Sequence, residues 1–128
     1  MAKKSKNMIP EGYIWKVALH LLFGIKALHS MKIFHRDIKP ANILLTKNEE
    51  CAKLADMNVS VISKTGMAST QTGTPTYASP EVWMERPYSG KSDIWSLGCV
   101  LYELTTLKPP FMATDLPGLK KCIINSDY

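Results

Sequence analysis

Residues 33–45 read Ile33-Phe34-His35-Arg36-Asp37-Ile38-Lys39-Pro40-Ala41-Asn42-Ile43-Leu44-Leu45. Polar and ionisable side chains crowd the centre of this run, and both flanks are apolar. That arrangement restricts the fold strongly. Apolar flanks seek burial, while the polar centre needs solvent, a ligand or a hydrogen-bonded seat. A polar loop held between two short buried strands meets both demands. The alternative is a chance surface turn, and several specified polar positions in one window argue against it.

Written as H-R-D-x-K-x-x-N, the run resembles the catalytic loop of protein kinases. The resemblance implies roles for its residues. Asp37 would accept the proton of an attacking hydroxyl and orient that hydroxyl. Lys39 would face the γ-phosphate of ATP. Asn42 would offer Mg2+ a hard oxygen ligand. Leu44 would form an apolar floor beneath the adenine.

Three further stretches follow in kinase order. Lys53-Leu54-Ala55-Asp56-Met57-Asn58 lies where a kinase carries D-F-G, and Asp56 would chelate the metal that bridges the phosphates. Met57 replaces Phe there, and a flexible apolar side chain can still fill a core gap. Asn58 replaces Gly, and Asn is among the few residues that tolerate positive φ. Gly73-Thr74-Pro75-Thr76-Tyr77-Ala78-Ser79-Pro80-Glu81 resembles the end of an activation segment, with Ser-Pro-Glu in place of A-P-E. Lys91-Ser92-Asp93-Ile94-Trp95-Ser96-Leu97-Gly98 resembles the central helix of the kinase C-terminal lobe. The closer similarity is to the NIMA-related (Nek) serine/threonine kinases. It rests on Ile9-Pro10-Glu11, Lys26-Ala27-Leu28-His29, Gly73-Thr74-Pro75, Ser79-Pro80-Glu81-Val82-Trp83 and Leu107-Lys108-Pro109-Pro110-Phe111. The implied class is α+β, a protein-kinase-like fold of which residues 1–128 form a mainly helical C-terminal-lobe portion.

A chain of 128 residues holds one domain. A kinase domain is about twice as long. No G-x-G-x-x-G and no V-A-I-K occur in the sequence. The expectation is therefore a partial catalytic domain. The N-terminal lobe and the last C-terminal-lobe helices are absent, and the missing lobe would be supplied in cis. The chain alone is expected to be inactive and poorly soluble.

Sixteen Lys and Arg against eleven Asp and Glu give a net charge of +5. No basic stripe is interleaved with aromatics, so a solvated surface is favoured over a nucleic-acid site. Cys51, Cys99 and Cys122 lack C-x-x-C spacing and read as reduced intracellular thiols. Glu11, Lys16, His20 and Lys26 interrupt the first apolar stretch, which excludes a secretory leader or a membrane span there. The expected location is cytoplasmic, with cytoskeletal or ciliary association implied by the resemblance.

Pro10 with Glu11 marks a helix start, and Ile14, Val17, Ala18, Leu21, Leu22, Ile25 and Leu28 follow at helical spacing. His20 and His29 read as packed or capping residues rather than ligands. Ile43–Leu45 and residues 52–55 read as short strands. Ser92 or Asp93 is expected to cap the next helix, which its apolar residues would bury. Residues 119–124 would begin a final helix.

The resemblance also implies regulation and specificity. Thr70 occupies the position of an activating phosphorylation site, and Arg36 would pair with its phosphate. Thr74 and Lys39 point to serine or threonine as the acceptor, with Thr74 shaping the substrate pocket. Glu81 is expected to lack its usual arginine partner, which would lie past residue 128. Asp93 is expected to accept hydrogen bonds from the catalytic-loop backbone. Two functions compete: a serine/threonine kinase acting on protein substrates with ATP and Mg2+, and a truncated, non-catalytic interaction module. A nucleic-acid-binding domain has little support.

Overall fold

A computed structural model describes residues 8–56 and 75–128. Pro10 stands at the N-cap with φ −59° and ψ 137°, and helix α1 follows as Glu11–Ser30. A short 3-10 turn, Pro40–Asn42, leads into strand β1 (Ile43–Leu45). β1 pairs antiparallel with β2 (Ala52–Leu54) in the register Ile43 to Leu54 and Leu45 to Ala52. Helices α2 (Pro80–Trp83), α3 (Gly90–Thr106) and α4 (Leu116–Asn125) complete the order. Among the described residues the chain is helix-rich with one two-stranded sheet, as the α+β expectation required.

Two apolar clusters organise these elements. The first joins Val17, Leu21 and Ile25 of α1 to Ile38, Ala52, Leu97 and Val100. It therefore binds α1, the polar loop, the sheet and α3 into one unit. The second joins Cys99 of α3 to Phe111, Leu119 and Ile123. Trp95 stacks on Phe111 there, with ring centroids 5.7 Å apart. Burial pushes the Cys99 thiol up to about 12, so it packs as a small apolar group. All three cysteines are unbridged.

The structure alters three local expectations. No strand precedes the polar loop, and β1 is not buried, since Leu44 and Leu45 are 57% and 46% exposed. The cap of α3 is Ser89, whose side chain accepts from Lys91 N, with Ser92 completing a reciprocal capping box. Ser89 wins because it precedes the first helical N–H groups, while Ser92 and Asp93 lie inside the first turn. Finally, α3 is not buried all round, as Ile94 remains 43% exposed. The helix ends at Leu107, which takes the left-handed conformation at φ 60°.

Candidate active site

The backbone at Lys39 is extended, with φ −159° and ψ 163°. Neighbouring side chains on extended backbone point to opposite sides. Ile38 accordingly enters the first core and is 2% exposed, while Asp37 and Lys39 emerge together. Lys39 Nζ lies 3.0 Å from Asp37 Oδ2. One buried apolar residue between two charged ones is thus the physical reason for the D-x-K spacing.

Asn42 ties the other end of the loop back to Asp37. Its Nδ2 donates to the Asp37 carbonyl and to Asp37 Oδ2, both at 2.8 Å. Both bonds need the amide NH2 on that side, so Asn42 Oδ1 is the atom turned elsewhere. Asn42 is buried, and its carbonyl accepts from Ala55 N at 2.9 Å. That bond places the end of β2, and with it Asp56, beside the loop. Asp56 is exposed and holds φ 52°, a left-handed conformation that Asp tolerates.

His35 locks the same junction from inside. It is fully buried, and its Nε2 lies 3.0 Å from the Ala55 carbonyl. A carbonyl only accepts, so Nε2 carries the proton. Nδ1 is then a lone pair, and it accepts from Asp37 N at 3.3 Å. One neutral imidazole therefore spans the D-x-K-x-x-N loop and the β2 end.

Beneath the loop lies Asp93, wholly buried in the first turn of α3. Oδ2 accepts from His35 N at 3.0 Å and from His29 Nε2 at 2.8 Å. Oδ1 accepts from Arg36 N at 3.0 Å and from the Tyr88 hydroxyl at 2.7 Å. A buried carboxylate persists when donors surround it, and here each oxygen has one backbone and one side-chain donor. The expected role of Asp93 is met. His29 proves to be a packed residue, edge-on to Phe34 at 5.6 Å. A Cβ on Gly90 would stand 2.9 Å from His29 Cε1, so the ring's seat needs glycine there.

The same helix anchors residues 77–81. Ser96 Oγ donates to the Tyr77 carbonyl at 2.8 Å, and the Tyr77 hydroxyl donates to Glu103 Oε2 at 2.6 Å. Burial and the Glu103 carboxylate push the Tyr77 phenol far above its ordinary range. Glu81 has a hydrogen-bond partner on α3. The Ser92 hydroxyl donates to Glu81 Oε1. Desolvation alone would raise the Glu81 pKa, but the Ser92 hydroxyl and its own backbone N–H hold it below 4.5.

The structure brings together Arg36, Asp37, Lys39 and Asn42, and it sets Asp56 beside them. Leu44 lies on the exposed side of β1. Met57, Asn58, Thr70, Gly73 and Thr74 lie outside the described residues. Tyr88 was missed by the sequence reading. The available signal was a polar-capable aromatic five residues before Asp93, in the turn that enters α3. Among the described residues no cluster of three acidic, His or Cys side chains could hold a metal. The oxygen set is instead one amide and one carboxylate, Asn42 and Asp56, which suits a hard cation that keeps waters and phosphate oxygens. An apolar groove on the outer side of α1 is lined by Leu19, Leu22, Phe23 and Ile94 and reaches His29. No described helix is long and apolar enough to cross a membrane.

The comparisons with known proteins agree with this geometry. The protein kinase domain model matches residues 1–126. The human serine/threonine-protein kinase Nek5 is 50% identical over 107 residues, covering 82% of this chain and 15% of the relative. The zebrafish (Danio rerio) Nek8 is 39% identical over 127 residues, covering 98% and 18%. The Caenorhabditis elegans kinase nekl-2 is 41% identical over 129 residues, covering 98% and 36%. The chain thus spans about a third or less of these curated relatives. A crystal structure of Rad53 residues 1–466 with AMP-PNP superposes with a TM-score of 0.79 at 32% identity, covering 96% of this chain and 30% of that one. A shared profile, shared motifs and a shared tertiary arrangement converge, and the chain belongs to the protein kinase domain family, with Nek kinases as its relatives over most of its length.

Proposed function

We propose that the chain carries the catalytic-loop half of a serine/threonine protein kinase of the NIMA-related type. One observation carries the reading: Asp37, Lys39 and Asn42 are linked by direct contacts at 2.8–3.0 Å around one carboxylate. Asp37 orients the acceptor hydroxyl and takes its proton. Lys39 neutralises charge on the transferring phosphoryl group. Asn42 Oδ1 and the Asp56 carboxylate would hold Mg2+, which would neutralise charge on the ATP phosphates. Positioning and electrostatics supply most of such catalysis. The bound nucleotide of the Rad53 structure, AMP-PNP, supports ATP as the phosphoryl donor.

The finer assignments belong to the same reading. Leu44 contacts the adenine, and its exposure leaves that face open for it. Thr74 shapes the acceptor pocket, and phosphorylated Thr70 pairs with Arg36, whose side chain is exposed. The substrates are proteins and the setting is cytoplasmic. An N-terminal lobe carrying a glycine-rich phosphate loop would complete the nucleotide cleft.

The test joins the chain to a Nek N-terminal lobe and follows phosphate transfer from Mg-ATP to serine and threonine peptides. Transfer that Asp37→Asn removes supports the reading. Absence of transfer from a folded fusion that binds nucleotide would refute it. The second reading, a non-catalytic interaction module, draws on the exposed apolar side of α1, where Trp15 and Phe23 are 63% and 66% exposed. It predicts partner binding that survives Asp37→Asn.

A further inference from the structure

Among the described residues, Tyr88 is the aromatic that touches both the carboxylate beneath the loop and the side chain of Arg36. Its hydroxyl donates to Asp93 Oδ1, the oxygen that also accepts from Arg36 N. Its ring lies under the guanidinium, with Arg36 Cζ 5.6 Å from the centroid. Phe34 backs the ring at 6.1 Å, in a tilted arrangement. Arg36 itself holds φ 68°, so its backbone is in the left-handed region and its side chain leaves the loop in an unusual direction. Backbone and side chain of Arg36 therefore report to one residue through two different groups.

We infer that Tyr88 is a positioning residue that fixes the Arg36 guanidinium with its ring and the Arg36 backbone, through Asp93 Oδ1, with its hydroxyl. The ring contact is electrostatic as well as apolar, because a guanidinium is attracted to the face of a phenol. Arg36 is exposed and would otherwise sample many rotamers. Holding it over Tyr88 removes that freedom before any anion arrives. Burial and the Asp93 carboxylate push the Tyr88 phenol far above its ordinary range, so its proton stays in place. The inference rests on the kinase reading only for its consequence: a pre-placed guanidinium next to Asp37.

The two groups can be separated by substitution, using the full 128-residue chain and nuclear magnetic resonance. Tyr88→Leu removes ring and hydroxyl. The Arg36 side-chain protons should then lose the upfield ring-current shift and move to random-coil positions. Tyr88→Phe keeps the ring, so that shift should remain. It should move the Arg36 amide proton, bonded to Oδ1, more than the His35 amide proton, bonded to Oδ2. Should Tyr88→Leu unfold the chain, Arg36→Ala reads the same contact from the Tyr88 ring protons, because that side chain is exposed. A double-mutant cycle on the folding constant, with Arg36→Ala and Tyr88→Leu, should show about two- to fivefold coupling. Arg36 resonances unchanged by Tyr88→Leu, or Tyr88 ring protons unchanged by Arg36→Ala, overturn the inference. None of these readouts needs catalysis. An inactive fusion with the shifts intact would therefore refute the kinase reading and leave the positioning role standing.

Discussion

The seat of the catalytic loop and the outer side of α1 meet opposite physical demands. Around Asp93, four donors converge on one buried carboxylate, and every bond comes from within the chain. Across α1, Val17, Leu21 and Ile25 are at most 5% exposed, yet Leu19 and Leu22 on the other side are 51% and 42% exposed. The polar seat is complete by itself. The apolar side is not, because a second apolar stripe on the same helix calls for cover of its own. The loop geometry is thus an internal property of this chain, while the outer side of α1 leaves Leu19 and Leu22 uncovered. The two regions can be perturbed independently.

The comparison breaks most sharply at Asp93. Asp93→Asn keeps the shape but presents an amide donor to a cluster of donors. It should cost about 3 kcal/mol. Urea denaturation of the chain would show it as a lower midpoint at an unchanged slope. A variant as stable as the parent would mean that the seat is not what holds the loop.

Asp37→Asn should behave in the opposite manner. Its backbone stays bonded to His35 and Asn42, so the midpoint should barely move. Phosphate transfer by the fused kinase should fall by about 10²–10⁴-fold, the usual size of a lost general base. Steady-state kinetics would place that loss in kcat.

The outer side of α1 should respond in solubility alone. Leu19→Lys with Phe23→Lys should shift the chain from self-associated species toward monomer in sedimentation. Stability should change by no more than about 0.5 kcal/mol per site, because neither side chain is in a core. Strong destabilisation would show that this side is packed after all.

The smallest effect concerns Glu81. Its folded-state pKa is lowered below 4.5, chiefly by the Ser92 hydroxyl acting against desolvation. A depressed carboxyl contributes stability that is present above pH 4.5 and disappears as pH falls through the lower folded value. Ser92→Ala should flatten that part of the stability profile and raise the Glu81 pKa, measurable from its side-chain carboxyl carbon shift.

Much of the site was legible in the linear order. D-x-K-x-x-N encodes its own geometry, since Ile38 must be buried and its two neighbours then emerge together. Helical spacing placed α1 correctly, and the short strands β1 and β2 matched apolar runs. Asp93 was found through a motif, not through periodicity. The errors share one cause. The α3 cap moved to Ser89 and β1 stayed exposed, because each depends on which groups become neighbours in space. Tyr88 was invisible for the same reason: a tyrosine in a turn says nothing until Asp93 and Arg36 are brought to its two ends.

The sequence by itself determined the family, the identity of the charged and amide groups at the site, and the helices whose apolar spacing is strong. Those are local properties, carried by residue type and interval. The tertiary structure alone decided the His35 tautomer, the two side-chain donors on Asp93, the exposure of Leu44 and the double contact of Tyr88. The hydrogen bond from His29 to Asp93, spanning 64 positions, is set by the packing of α1 against α3, and no local pattern can encode it.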